Sequence, residues 1–525
     1  MKRKIAIFDS TLRDGAQAEG ISFSLKDKIK IVAKLDNIGV AYIEAGNPGS
    51  NKKDADFFAH LKQNPGDRPK HAKLVAFGST RRKGVKPEDD KNIQNLLDAG
   101  TETVCVFGKA SRFQVTEILK TDCAENLEMI RDTVNFLRAR GLGVIFDAEH
   151  FFDGYKEDPA YAMECLSAAG AADCLVLCDT KGGAFPDEIY DTVKKVVSVF
   201  KTPVGIHCHN DCGMAVANSV MAAKAGAAHI QGTFTGFGER CGNTNLSAVI
   251  PNLQLKRSYR CIPENNMVNL RETALTISEI ANVSLDDRSP YVGASAFAHK
   301  GGMHIDGVQK RPESFEHIEP SLVGNDRRLL ISEVAGRSTV LSAIQRVSPD
   351  ITRDAPETEN VIAQLKALEN EGYQFEAAES SFDLRIRKLL GKYSPKFQLE
   401  NFKTIGESAG AGEHSAQAMI KVIVDGKAEI TAAEGNGPVN ALDRALRKAL
   451  EIFYPQLGDV HLTDYKVRVL DGQGATAAKV RVLIESTDGV RQWTTVGVSH
   501  DIIEASWIAL VDSIEYKLIR DGEMA

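Results

Sequence analysis

The chain has 525 residues, of which 43% are hydrophobic and 26% charged, a globular composition with room for two or three domains. Its net charge of −7 argues against nucleic acid or an anionic membrane surface as a partner, because both favour basic proteins. No apolar run approaches the roughly 18 residues of a membrane span, and nine cysteines without a secretory signal favour a cytoplasmic protein with reduced thiols.

Short apolar segments typical of buried parallel strands recur along the first half of the chain at intervals of roughly thirty residues. They cover residues 5–8, 41–44, 74–77, 103–106, 143–146, 174–177, 204–207 and 229–232. The segments between them have helical periodicity, as Leu25, Ile29, Val32 and Leu35 illustrate. Eight strand–helix units in succession predict a TIM (β/α)8 barrel over residues 1–285. A doubly wound sheet is less favoured, since no phosphate-binding loop follows the first strand.

Polar residues follow the predicted strands, where the active sites of barrel enzymes lie. His207 and His209 flank Cys208 on the seventh strand, so the two imidazoles point the same way. Asp14 follows the first strand and adds a carboxylate. Two imidazoles and a carboxylate suit a divalent ion with open positions, and these residue types accept Mg²⁺, Mn²⁺ or Zn²⁺. A turn role for Asp14 and a helix-cap role for Asn243 are the alternatives.

Three motifs together resemble those of the DRE-TIM metallolyases, barrel enzymes that make or break carbon–carbon bonds beside a carbonyl. They are TLRDGAQ at 11–17, HCHND at 207–211 and the glycine-rich loop at 236–243. Beyond the barrel, residues 295–304 resemble the segment that carries a catalytic histidine in the acyl-CoA-condensing branch of the family. Two further segments fit the same branch, at 320–325 and 335–338.

From about residue 396 the pattern changes to strand pairs followed by a helix, and this pattern occurs twice, with helices predicted at 439–450 and 502–518. The duplication resembles the dimeric regulatory domain of 2-isopropylmalate synthases and citramalate synthases. We therefore expect helical linker subdomains at 286–395, an α+β regulatory dimerisation domain at 396–525, a homodimer and an amino-acid effector. A domain that serves oligomerisation alone is the alternative.

Within this group, residues 147–155 and 315–318 are most similar to the citramalate synthase family. The resemblance implies condensation of acetyl-CoA with pyruvate and water to (R)-citramalate and CoA, in isoleucine biosynthesis and with feedback by isoleucine. A 2-isopropylmalate synthase, which takes a bulkier 2-oxo acid, is the main alternative, and a non-catalytic effector-binding scaffold is a remote one. Phe77, Phe107 and Phe146 lie near strand ends, where they would either narrow the pocket or pack in the core.

The resemblance also implies roles for single residues. The implied metal ligands are Asp14, His207, His209 and Asn243. Arg13 would bind the substrate and stabilise the developing alkoxide, Thr180 would hold the keto acid's carboxylate, and Glu149 would be a catalytic carboxylate. His304 would be the base that takes a proton from the acetyl group, although Phe315 stands where relatives often have a tyrosine that assists this base. The alternatives are a helix cap for Thr180, a surface carboxylate for Glu149 and a linker histidine for His304. The basic run at 81–83 would be a solvated loop or a phosphate contact for CoA.

Overall fold

The computed structural model describes residues 2–330, 337–352, 354–407, 415–470, 478–489 and 491–524. Two residues of the 335–338 motif, Ala335 and Gly336, lie outside these ranges. The chain divides into two compact units, Met1–Phe297 with Ile318–Arg327 and Ala298–His317 with Arg328–Ala525. Within the described ranges, none of the helices has the length and apolar character needed to cross a membrane.

The first unit contains a closed barrel of eight parallel strands, which confirms the predicted TIM barrel. The strands are β1 Ala6–Asp9, β2 Tyr42–Glu44, β3 Lys73–Ser79, β4 Thr103–Lys109, β5 Gly143–Glu149, β6 Cys174–Asp179, β7 Val204–Cys208 and β8 His229–Gly232. Pairing of Ala6 with His229 closes the barrel between β1 and β8. Strands β3 to β6 run two or three residues beyond their predicted ends, so several of the expected loop residues belong to strands.

Helices follow the strands and cover the outside of the barrel. They are α1 Leu25–Ile38, α2 Lys52–Gln63, α3 Lys91–Ala99, α4 Cys123–Ala139, α5 Phe151–Glu157, α6 Pro159–Ala168, α7 Pro186–Val199, α8 Ala215–Ala225, α9 Leu246–Lys256 and α10 Leu270–Ile280. Ser24 and Asp27 form a reciprocal capping box at the start of α1. Gly39 ends α1 with a φ of 92°, and a Cβ there would lie 2.5 Å from Pro263, so only glycine fits.

Side chains of the barrel strands alternate between two apolar layers. One set lies inside the barrel and includes Phe8, Val75, Cys105, Ile145 and Val176. The other set packs against the surrounding helices in the large core cluster of the first unit. Both layers are fully buried, which explains why the strand sequences read as continuous apolar runs.

The second unit begins with helices and ends with the predicted duplication. Its helices are α11 Gly302–Lys310, α12 Arg337–Val347, α13 Pro356–Asn370, α14 Glu379–Leu389, α15 Pro438–Leu450 and α16 Ile502–Met524. Its two antiparallel sheets contain β9 Gln398–Glu407, β10 Ser415–Val424 and β11 Lys427–Gly435, then β12 His461–Val469, β13 Val480–Thr487 and β14 Gln492–Ser499. Each sheet keeps its strands in sequence order, and α15 and α16 follow the two sheets. This arrangement confirms the α+β domain with an internal repeat.

Candidate active site

Three of the four residues predicted to bind a metal lie together at the carboxyl ends of β1 and β7. One ligand atom from each of Asp14, His207 and His209 lies within 4.8 Å of the others, and Nε2 of His207 is 3.6 Å from Oδ2 of Asp14. All three side chains are buried. The alternation of side chains along β7 turns both imidazoles toward Asp14, so the predicted grouping is found in the fold.

Asn243 joins this cluster through the backbone. The amide of Asn210 donates to the carbonyl of Gly242 at 2.9 Å, and the amide of Thr244 donates to the carbonyl of Cys208 at 3.0 Å, which places Asn243 opposite His209. Nδ2 of Asn243 donates to the carbonyl of Phe237 at 3.2 Å, so its Oδ1 is the free acceptor. Gly238 is required beside it, because a Cβ there would lie 2.2 Å from Nδ2 of Asn243.

Two buried acceptors in the cluster have no hydrogen-bond partner among the described residues: Nδ1 of His209 and Oδ1 of Asn243. A buried polar atom left without a partner carries a free-energy cost of about 1–3 kcal/mol, and coordination of a cation would remove that cost. A carboxylate, two imidazoles and an amide oxygen form a donor set that suits a divalent cation. The residues present therefore fit a bound divalent ion.

Electrostatics keep the three ligands in the protonation states that a cation needs. Burial lowers the pKa of His207 to about 3 and also lowers the pKa of His209, so both imidazoles are neutral near pH 7. Burial raises the pKa of Asp14, but the positive charge of Arg13 opposes this rise, and the net shift is downward. Asp14 is therefore ionised, and the site offers one negative charge and two neutral nitrogens.

Arg13 is fixed beside the metal ligands by Glu44, at the end of β2. Nε of Arg13 donates to Oε2 of Glu44 at 2.7 Å, and its Nη1 lies 3.3 Å from Oδ2 of Asp14. The guanidinium also lies 3.8 Å from the ring centroid of Phe77. The sequence indicates no functional role for Glu44 beyond its position at the end of the second strand.

A cavity of about 330 Å³ opens above the cluster, and its lining includes Phe77, Phe107, Glu149, Thr180 and Arg240. The rings of Phe77 and Phe107 stack with their centroids 5.3 Å apart and form an apolar wall. Phe146 does not line this cavity. It is fully buried in the layer between the barrel and its helices, so the core-packing alternative is correct for Phe146.

Thr180 and Glu149 both line the cavity, and each has a fixed neighbour. The hydroxyl of Thr180 accepts a hydrogen bond from the amide of His150 at 2.8 Å, which leaves its proton available for a ligand. Thr180 does not cap the next helix, because α7 begins at Pro186 with Phe185 as its N-cap residue. The carboxylate of Glu149 forms an ion pair with Lys109, at the end of β4.

Arg240 links three loops of the site through hydrogen bonds. It donates to both carboxylate oxygens of Asp211, at 2.7 and 3.0 Å, and to the carbonyl of Thr180 at 2.9 Å. The loops after β6, β7 and β8 therefore share one side chain. The sequence does not indicate this role, because nothing in the loop that carries Arg240 identifies the residues it contacts.

The candidate base and the basic run differ in their surroundings. His304 belongs to the second unit, on α11, where its exposed ring stacks on Phe315 with the centroids 4.1 Å apart.

In the first unit, Arg81 forms ion pairs with Glu125 at 2.8 Å and Asp132 at 2.9 Å. Arg81 is therefore held by carboxylates of the fold.

Family models match almost the whole chain. A model described as HMGL-like matches residues 4–284, a homocitrate synthase post-HMGL domain-like model matches 291–373, and a LeuA allosteric (dimerisation) domain model matches 376–518. The first covers more than half of the chain, and it spans the barrel that carries the cluster.

Curated relatives match from end to end. The chain is 51% identical over 527 residues to an (R)-citramalate synthase of Aquifex aeolicus, with 100% of this chain and 99% of the relative covered. It is 50% identical over 531 residues to an (R)-citramalate synthase of Synechocystis sp., with 98% and 96% covered. A probable 2-isopropylmalate synthase of Methanopyrus kandleri is 32% identical over 517 residues, with 98% of both chains covered. The expected resemblance is confirmed, and the chain belongs to the HMGL-like barrel family of DRE-TIM metallolyases, in its citramalate synthase group.

Proposed function

We propose that this chain condenses acetyl-CoA with pyruvate and water to give (R)-citramalate and CoA. The observation that carries the proposal is the cluster of Asp14, His207 and His209 at the base of a cavity with an aromatic wall. A cavity of about 330 Å³ lies at the small end of ligand pockets. The stacked rings of Phe77 and Phe107 form one wall of this cavity and would leave more room for pyruvate than for a branched 2-oxo acid.

Asp14, His207, His209 and Asn243 would hold the divalent ion. When bound, this ion supplies Lewis acidity at the keto group of the 2-oxo acid. Arg13 has N–H groups beyond the one that bonds Glu44, and these would stabilise the negative charge that develops on the keto oxygen. The hydroxyl proton of Thr180 would bind the carboxylate of the 2-oxo acid.

We further propose that Glu149 and His304 act on the acetyl thioester. His304 would accept the proton from the acetyl methyl group, since imidazole exchanges protons readily near neutral pH. Phe315 stacks on its ring and has no hydroxyl, so any assistance to this base comes from another group. Glu149 lines the metal cavity and would orient the thioester. Hydrolysis of the citramalyl thioester then makes the reaction irreversible.

A second cavity is the candidate path for the CoA arm. It has a volume of about 350 Å³, and it shares Phe107 with the metal cavity and also contacts Lys109. Its lining combines apolar side chains, such as Leu119 and Met129, with Arg82 and Lys83. An apolar wall with cations suits a pantetheine chain that ends in phosphates.

The C-terminal domain is proposed to regulate this reaction in isoleucine biosynthesis. The match of residues 376–518 to the LeuA allosteric domain model supports an amino-acid effector and a homodimer. Isoleucine should lower the rate of the full-length enzyme, whereas leucine at the same concentration should have less effect. Light scattering coupled to gel filtration would test the dimer.

Release of CoA thiol tests the reaction directly. Purified chain with Mg²⁺ or Mn²⁺ and acetyl-CoA should release thiol fastest with pyruvate, when compared with 2-oxobutanoate, 2-oxoisovalerate and glyoxylate. Chelation should abolish the activity, and added Mn²⁺ should restore it. A preference for 2-oxoisovalerate would instead assign the chain to the 2-isopropylmalate synthases, and no release with any of the four acids would rule out the proposed condensation.

A further inference from the structure

A buried hydrogen-bonded chain runs from the metal-site histidine on β7 to a carboxylate on β5. Nδ1 of His207 lies 3.0 Å from Oε1 of Gln231. Nε2 of Gln231 donates to Oδ1 of Asp147 at 2.9 Å. All three side chains are buried, and Gln231 is completely inaccessible to solvent.

The orientation of the Gln231 amide sets the polarity of this chain. Its NH₂ group donates to Oδ1 of Asp147, and its oxygen faces Nδ1 of His207. An amide oxygen only accepts, so Nδ1 of the neutral His207 carries the proton. The lone pair is then on Nε2, the nitrogen that lies 3.6 Å from Asp14.

The same chain sets the orientation of the His207 ring. The two imidazoles of the site lie edge to face, with centroids 5.2 Å apart and planes at 64°. Because rotation of the His207 ring would disturb its neighbour, holding His207 also restrains His209. Nδ1 of His209 has no hydrogen-bond partner among the described residues, so Gln231 provides a hydrogen-bonded restraint that His209 lacks.

We propose that Gln231 is the positioning residue of the metal site and that Asp147 anchors it, so that together they select the metal-binding tautomer of His207. This inference rests on the proposed function, because it assumes that the cluster holds a divalent ion. Hydrogen-bonded partners of metal-binding histidines typically contribute about 10- to 100-fold to metal affinity. Neither Gln231 nor Asp147 is in the lining of the proposed CoA path, and Gln231 also lies outside the lining of the metal cavity, so their effect should appear in metal binding itself.

The test measures Mn²⁺ binding to the metal-free full-length enzyme by electron paramagnetic resonance. Gln231→Met keeps the length of the side chain but removes the acceptor, and should weaken Mn²⁺ binding about 10- to 100-fold. His229→Phe is the matched control, because His229 lies two residues earlier on the same strand, is buried among Phe8 and Tyr42 and has no bond to the cluster. It should bind Mn²⁺ as the wild type does.

A second pair of variants separates hydrogen bonding from packing. Asp147→Asn retains an oxygen that accepts from Gln231 and should keep most of the affinity, whereas Asp147→Leu should lose it. Thermal unfolding of each variant checks that the barrel is intact, and the Asp147 pair provides the test if Gln231→Met does not fold.

The outcomes separate the two proposals. Equal Mn²⁺ affinity of wild type and Gln231→Met, with binding lost in His207→Ala, would overturn the role of Gln231 and leave the metal site standing. If Asp147→Leu binds Mn²⁺ as tightly as Asp147→Asn, Asp147 is not the anchor. Failure of the wild type to bind Mn²⁺ more tightly than His207→Ala would overturn the proposed metal site itself.

Discussion

At the scale of single residues, buried acids lie inside the first unit with their pKa values shifted in opposite directions. Asp14 is held ionised by the charge beside it, as described above. Asp9, at the end of β1, accepts hydrogen bonds from the amide and the hydroxyl of Thr11 at 2.9 and 3.0 Å, yet burial raises its pKa to about 7. Local charge, rather than depth alone, decides which carboxylate is ionised.

Replacing Asp9 with Asn should make the barrel relatively more stable at alkaline pH. Between the unfolded value of 3.8 and the folded value of about 7, the folded protein holds a proton that the unfolded chain releases. Wild-type stability therefore falls as pH rises through this window. From pH 5 to pH 8 the free energy of unfolding of Asp9→Asn should improve relative to wild type by up to roughly 3 kcal/mol, at about 1.4 kcal/mol per pKa unit.

Urea unfolding of the metal-free protein, followed by far-ultraviolet circular dichroism, measures this change. Both tryptophans, Trp493 and Trp507, belong to the second unit, so tryptophan fluorescence reports on that unit and serves as an internal control. A difference between the variant and the wild type that does not change with pH would contradict the assignment.

Phe107 should control which 2-oxo acid is accepted. Phe107→Ala removes half of the stacked aromatic wall, and should raise the ratio of kcat/KM for 2-oxoisovalerate to that for pyruvate by about 10-fold or more. Phe146→Leu is the control, because Phe146 lies outside the cavity in the core and should lower stability without changing the ratio. An unchanged ratio in Phe107→Ala would exclude the wall as a determinant of specificity.

At the scale of elements, the position of each strand was predictable but the direction of its side chains was not. Parallel strands buried on both faces read as continuous apolar runs, so their sequence does not reveal which residues face inward. For this reason Phe77, Phe107 and Phe146 were equivalent in the sequence, whereas only the first two line the cavity. The relative direction of His207 and His209 was nevertheless predictable, because a spacing of two residues places both side chains on the same face of the strand.

The sequence also does not predict the role of a residue that acts through a partner on another strand or loop. Glu44 contacts Arg13, Gln231 contacts His207, and Arg240 contacts Asp211. In each case the partner belongs to the adjacent strand or to the loop after it, and only the pairing of neighbouring strands in the fold brings the two together.

The junction between the last strand and the helix of each repeat in the second unit depends on glycine. A Cβ at Gly497 would lie 1.9 Å from the carbonyl oxygen of Ala505, and a Cβ at Gly435 would lie 2.5 Å from the amide nitrogen of Ala441. Gly435 ends the third strand of its sheet, Gly497 lies two residues before the end of the other, and both are close to the first turn of the following helix. Glycine there lets each helix approach its sheet.

Gly497→Ala should therefore destabilise the second unit by about 1–3 kcal/mol, because the added methyl group forces α16 away from β14. The urea midpoint measured by tryptophan fluorescence should fall. Gly458→Ala is a matched control, since a Cβ at Gly458 meets nothing within 4 Å. Equal midpoints for the two variants would show that the helix can shift without cost.

At the scale of the whole molecule, the linker helices and the regulatory repeats belong to one compact unit. The hydroxyl of Ser381, on α14, donates to Oδ2 of Asp512 at 2.9 Å and accepts from the amide of Val496 at 3.0 Å. Phe382 of the same helix is buried in a cluster that includes Val496. The helices before residue 396 therefore depend on strands and helices that come after it.

A chain that ends at residue 395 should lose the structure of α14. Removal of the C-terminal residues takes away both hydrogen-bond partners of Ser381 and exposes Phe382, so hydrogen exchange in Glu379–Leu389 should become fast. Exchange in β7, within the barrel, should remain as slow as in the full chain. Full protection of Glu379–Leu389 after truncation would show that the linker helices fold on their own.

The two C-terminal repeats share a detail that their function does not explain. In each repeat, the third residue of the first strand is an extra residue that has no partner in the strand pairing. It is Glu400, between Leu399 and Asn401, in the first repeat and Thr463, between Leu462 and Asp464, in the second. A bulge bends and twists its strand, and the same bulge stands at the same place in both copies. The two repeats therefore match in a strand irregularity as well as in strand order, and each sheet bends its first strand at the same point.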